Sequence, residues 1–220
     1  MKKTNRIKRL LLVGLALLPV LAGCVAKTTG TGSNNETGNA SPLSAAQGQE
    51  AASQTADKGP GQTDSEDAPV VWFTADISAE GLVRVYDALG WEPAGKVAVK
   101  ISTGEPPSSN YLRPELIGDL VRKVDGTIVE CNTAYGGSRA SSAMHKQVAE
   151  DHGFLDIADF DLLDEDGEVE WPVTGGKRLT RAIVGSHAEN YTDWLILSHF
   201  KGHAMAGYGG AIKNVAIGMS

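Results

Sequence analysis

Lys96-Val97-Ala98-Val99-Lys100-Ile101-Ser102-Thr103-Gly104-Glu105-Pro106-Pro107 decides the fold. A short, β-branched apolar run stops abruptly at a polar segment holding glycine and proline, which reads as a buried strand opening into a loop. The same grammar recurs on both sides. Val70-Val71-Trp72-Phe73 is expected to be a buried strand. Ser78 is placed to cap a helix that carries Leu82, Val85, Tyr86 and Leu89 at helical spacing and ends at Gly90. Pro114 sits at the first turn of a second helix, and Thr127-Ile128-Val129-Glu130-Cys131 is the next strand. Ser141 or Ser142 starts a third helix running towards His152-Gly153. Asp161-Leu162-Leu163, Glu168 to Trp171 and Leu179 to Val184 form a β-rich stretch. Trp194-Leu195-Ile196-Leu197-Ser198 returns as a core strand, and Gly209 to Met219 has a helical pattern. Strands alternating with helices predict an α/β fold: a mostly parallel sheet covered by helices on both faces, with a small antiparallel excursion around 161–184.

In open sheets of this kind, ligands gather beyond the carboxyl ends of the strands. Four polar or glycine-rich segments follow the expected strands: Thr74-Ala75-Asp76, Ser102 to Pro107, Asn132 to Arg139, and His199 to His203. They are expected to share one rim. Thr103, Glu105, Asn132, Arg139, His199, Lys201, His203 and Lys213 are the candidate ligand-facing residues.

The densest cluster is Ser198 to Asn214, with two histidines, two lysines and close-approach glycines. His199 and His203 lack an evident third metal ligand, so no metal site is assigned. Gly207-Tyr208-Gly209-Gly210 before a helix offers backbone N–H groups to an anion, a pattern that tight packing explains almost as well. Arg139 suits a carboxylate or phosphate, or equally a surface salt bridge. His145 and His152, seven apart on a helix, read as structural or solvent-facing, and His187 is uninformative. Cys131 has no convincing histidine partner and reads as a buried thiol. No phosphate-binding loop, serine elbow or zinc-finger spacing is present.

The N-terminus predicts an address. Lys2, Lys3, Arg6, Lys8 and Arg9 precede the apolar run Leu10 to Val20, which is too short, and too interrupted by Pro19, for a spanning helix. Leu21-Ala22-Gly23-Cys24 follows and resembles the lipobox of bacterial lipoproteins. That resemblance implies a signal peptide over residues 1–23 and a lipidated Cys24. A diacylglycerol thioether there would supply the two acyl chains that stable anchoring takes. Residues 24–68, rich in Gly, Ser, Thr, Asn and Ala, read as a disordered tether of about 35–40 Å reach. The α/β domain then spans 69–220. The expected location is the bacterial cell envelope, outside the cytoplasm.

Charge excludes one class of partner. Of 220 residues, 20 are basic and 27 acidic, a net charge of −7. Without the five basic leader residues, 15 basic residues face 27 acidic ones, a charge of −12. Such a surface repels nucleic acid. Two cysteines, one of them the expected anchor, exclude both a disulfide framework and an iron–sulfur cluster held by this chain alone.

Phe73 to Asp76, Val99 to Glu105, Glu130 to Arg139 and Ser198 to His203 resemble the bacterial family called domain of unknown function 362. Many of its members carry ferredoxin-like modules as well, which implies a redox association and a redox partner protein. Relatives generally continue beyond the point corresponding to Ser220, so the chain is expected to be a fragment or a truncated gene product. His203 to Lys213 also resembles a stretch of nickel-pincer lactate racemases. By that resemblance His203 would be an acid/base and Lys213 would hold a cofactor; the family's metal-binding histidine would lie past Ser220, so nickel is not assigned. Two functions are therefore expected to compete: binding of a small polar or anionic ligand, or cofactor-dependent proton transfer of the racemase or isomerase kind.

Overall fold

Val97 to Lys100 is buried along its whole length, as a strand covered on both faces must be. In the computed structural model, residues 9–15, 70–107 and 110–219 are described, the first of these as backbone only. The expected lipidated Cys24 and the tether over 24–68 lie outside the described residues, as does most of the expected signal peptide.

The strands are β1 (Arg9–Leu15), β2 (Val97–Lys100), β3 (Gly126–Glu130), β4 (Phe160–Leu162), β5 (Glu168–Pro172), β6 (Arg181–Gly185), β7 (Asp193–His199), β8 (Lys201–His203) and β9 (Gly207–Gly209). The helices are α1 (Ala79–Leu89), α2 (Pro114–Lys123), α3 (Ser142–Asp151) and α4 (Ala211–Ala216). The main sheet has the order β1-β7-β2-β3-β4, and every neighbouring pair is parallel. All these elements belong to one unit formed by Met1–Leu18 with Trp72–Ser220. The other unit, Pro19–Val71, contributes only Val70 and Val71 to the described residues.

Local chemistry sets the boundaries. Ser78 Oγ accepts the Gly81 N–H at 3.0 Å to start α1, and Gly90 ends it in the left-handed conformation. Pro114 occupies the first turn of α2, where its missing N–H costs nothing. Within β2 the side chains alternate between two cores. Val97, Val99 and Ile101 pack with Leu82, Ile117, Leu120 and Phe154 beneath α1, α2 and α3. Ala98 faces the other way, towards Trp194, Ile196, Val184 and Met219. On that second face the short α4 shares the covering with the β5–β6 hairpin and a one-turn 3₁₀ segment at Ser186–Asn190.

Several expected elements are corrected. Val70 to Phe73 is not a strand: it has no sheet partner among the described residues, and Val71 is 86% exposed. β-Branched and aromatic residues favour a pleated, half-buried surface, and without a neighbouring strand that preference has nothing to act on. Thr74-Ala75-Asp76 consequently leaves the rim, and Asp76 pairs instead with Arg84 on α1. Within 161–184 only β5 and β6 are antiparallel; β4 extends the main sheet in parallel from β3. The helix expected over Gly209 to Met219 is only the six-residue α4, because Gly207 to Gly209 is drawn into a hairpin with Lys201 to His203.

Candidate functional site

The chain runs outward from β2 through β3 to β4 and then returns to β7 on the other side of β2. Loops leaving β2 and β7 therefore diverge, which opens a crevice at their carboxyl ends, the usual ligand position in such sheets.

A cleft of about 290 Å³ lies there, between Ser102 and Glu105 after β2 and Ser198 and His199 after β7. The β8–β9 hairpin contributes Lys201 and His203 to its wall, and α4 contributes Lys213 and Asn214. A second cleft of about 480 Å³ opens beyond β3, over Cys131, Asn132 and Asp164, against the β5–β6 hairpin and the end of α4. Ser102, Tyr135, Arg139, Lys213 and Asn214 line both.

Below the clefts lies a buried charge network. Glu130 is 3% exposed. Its Oε1 accepts the Thr103 N–H at 2.9 Å and its Oε2 accepts Lys100 Nζ at 2.9 Å. Lys100 Nζ also donates to Ile101 O (2.7 Å) and to Asn214 Oδ1 (2.8 Å). Asn214 Nδ2 in turn donates to Ser198 Oγ at 2.7 Å, which fixes α4 to the ends of β2 and β7. Arg139 Nε donates to Glu105 Oε2 at 2.8 Å, with its guanidinium 3.7 Å from Glu130 Oε1. The Arg139 hydrogen bond holds the Glu105 carboxyl below its usual range, with the Ser138 N–H acting in the same direction. Two cations and two carboxylates thus neutralise one another in the floor of the clefts.

Glycine permits these approaches. Gly104 has φ +82°, and a Cβ there would stand 2.6 Å from the Tyr111 ring. Gly137 lies against the Glu105 carboxylate in the same way.

The lysines above the floor are different. Neither Lys201 nor Lys213 is ion-paired with a described residue. Burial, with Lys201 adding to it, lowers the pKa of His199, so its imidazole favours the neutral form; its Nε2 is buried without a hydrogen-bond partner. His203 Nδ1 accepts the N–H groups of Met205 (3.2 Å) and Ala206 (3.1 Å), so its neutral ring carries the proton on Nε2.

Of the residues chosen from sequence, Glu105, Arg139, His199, Lys201, His203 and Lys213 line the first cleft. Asn132 lines the second, where its amide nitrogen donates to Ser142 Oγ and its Oδ1 has no partner. Thr103 lines neither: it is fully buried and bonded through Oγ1 to His145 Nε2 at 2.8 Å. Burial pushes His145 down to about 4, so it stays neutral inside the core. His152 Nδ1 meets Thr103 O at 2.7 Å, and its ring stacks on Tyr111. Cys131 is only partly buried, at the second cleft, yet desolvation, with Asp164 adding to it, pushes its thiol up to about 12, which does not suit a nucleophile. Among the described residues, no group of three or more His, Cys, Asp or Glu side chains is arranged to hold a metal ion.

Sequence reasoning passed over Lys100, Glu130, Ser198 and Asn214. The signal was present: a lysine and a glutamate of opposite charge sit at the ends of adjoining, otherwise apolar strands, where an ionised group needs a partner.

The family described as domain of unknown function DUF362 matches residues 97–220, from β2 through all the loops that build both clefts. The chain belongs to that family. No curated protein and no solved structure matches it.

Proposed function

We propose that this DUF362 protein is a lipid-anchored envelope protein whose α/β domain binds a small anionic ligand at the junction of β2 and β7. One observation carries the ligand class. In a chain of net charge −7, the first cleft gathers Lys201 and Lys213 without ion-pair partners among the described residues, over a floor whose own charges cancel. An anion is what such a surplus attracts. The His203 Nε2–H is a further donor on the same wall. The anchor is argued from the sequence Leu21-Ala22-Gly23-Cys24 behind its apolar run. Removal of residues 1–23 would leave β7 as the sheet edge, since β1 falls within them.

The test is thermal stabilisation of the full chain by inorganic phosphate and by acetate, compared with the Lys213→Gln variant. A saturable rise in Tm with either anion, weakened about ten-fold or more in apparent affinity by the substitution, is expected. No rise, or one indifferent to Lys213, overturns the ligand class. Globomycin treatment under which processing continues and no uncleaved precursor accumulates overturns the anchor.

A second reading, proton transfer by His203 with Lys213 engaging a cofactor or carboxylate, draws on the presence of both residues in one cleft. In this arrangement Nδ1 of His203 is already used by two backbone N–H groups, so Nε2–H acts as donor before it acts as base. His203→Gln should then abolish turnover while anion binding persists.

A further inference from the structure

The second cleft is larger than the first and differs from it in chemistry. Ile183 on β6 and Ile217 after α4 are exposed at its wall, while Val184 and Met219 continue the apolar lining inward. Of its acidic groups, Glu130 is paired with Lys100, while Asp164 and Glu168 disfavour a second anion. The Asp164 carboxylate is taken up by the Asn132 N–H. Asn132, whose Oδ1 is buried and without a partner, lines this cleft, as His199, whose Nε2 is likewise buried and unpartnered, lines the first. Two of the four buried, unpartnered side-chain polar atoms among the described residues thus fall on cleft-lining residues. Such atoms are costly in a folded protein and need an explanation.

From these observations we infer that the two clefts are one site for an elongated ligand. Its acid group, a carboxylate or a phosphate ester, lies by Lys201 and Lys213, and its uncharged organic body crosses Tyr135 and Arg139 to lie against Ile183 and Ile217. This rests on the anion-binding reading and deepens it. Lys201 lines only the first cleft and Asp164 and Glu168 only the second, so charge grades from one end to the other, and the shared residues, Lys213 and Arg139 among them, make the passage continuous. The combined volume falls in the range of small-molecule pockets.

The experiment compares two matched pairs of probes on the full chain by calorimetric titration: phosphate with phenyl phosphate, and acetate with benzoate. The aromatic member of at least one pair is expected to bind about ten-fold tighter or more than its small partner, because the ring loses contact with water in the second cleft. The pair showing this gain tells phosphate from carboxylate. Ile217→Ser, at an exposed position and without a new charge beside Lys213, should erase the gain and leave the affinity for the small anion within about two-fold. Ile183→Asp provides the same readout from the opposite wall. Equal affinities within both pairs, or a gain that survives both substitutions, overturns the inference while leaving the anion reading intact. Failure of all four probes to bind removes both.

Discussion

Lys100 Nζ lies 2.9 Å from Glu130 Oε2, with both side chains sealed from solvent at the ends of adjacent parallel strands. The pair does more than neutralise itself: Lys100 also reaches Asn214 on α4, and Glu130 also takes the Thr103 N–H and faces Arg139. The floor of the candidate site and the attachment of the helix that carries Lys213 are therefore one network.

The two ends of that pair are not equally replaceable. Glu130→Ala leaves a buried ammonium without its counter-charge and should cost about 3–5 kcal/mol in urea unfolding. Lys100→Met should cost less, because Glu130 keeps two backbone N–H donors and the Arg139 guanidinium. A larger loss for Lys100→Met than for Glu130→Ala would contradict this account of the floor.

His187 lies between two carboxylates, Nδ1 2.7 Å from Asp161 and Nε2 2.8 Å from Asp166. The hydrogen bond to Asp161, then that to Asp166, raises its pKa. A raised folded pKa gives stability that is fully present below the unfolded value of about 6.5 and is lost as pH rises through the folded one. The Tm advantage of the native protein over His187→Gln should be widest near about pH 5.5 and should shrink by about pH 8.5. An advantage that grows with pH would show the opposite linkage.

Cys131 should resist alkylation. With its thiol pushed up to about 12 by burial and by Asp164, little thiolate exists at neutral pH. Iodoacetamide labelling followed at the Cys131 peptide should be about a hundred-fold slower or more in the native chain than in urea. Comparable rates would place the thiol in solvent.

Gly104→Ala should destabilise by about 1–3 kcal/mol, since it combines a positive φ with a Cβ pressed on the Tyr111 ring. Tyr111 stacks on His152, which contacts Thr103 O, so the loop after β2 should loosen with it. Amide exchange through Ser102 to Glu105 would report this; unchanged protection would separate Gly104 from the order of the loop.

Much of the architecture was legible because it rests on local signals. Ser78 and Gly90 bound α1, Pro114 opens α2, and the apolar runs around Val99, Ile128 and Leu195 are strands because nothing else buries such runs. The same logic failed at Val70 to Phe73, where β-propensity had no partner, and at Gly209, where hairpin pairing took residues from the helix.

The sequence by itself determined an α/β chain with polar loops after its strands and an excess of acidic residues. Those properties follow from spacing and composition along the chain. Only the tertiary structure decided that Thr103 turns into the core while Lys213 faces a cleft, and that Lys100, Glu130, Ser198 and Asn214 meet at its floor. Strand order and face, set by the packing of distant segments, determine which charges find partners and which remain available to a ligand. Lys100 and Asn214 are 114 positions apart, and no local pattern encodes their contact.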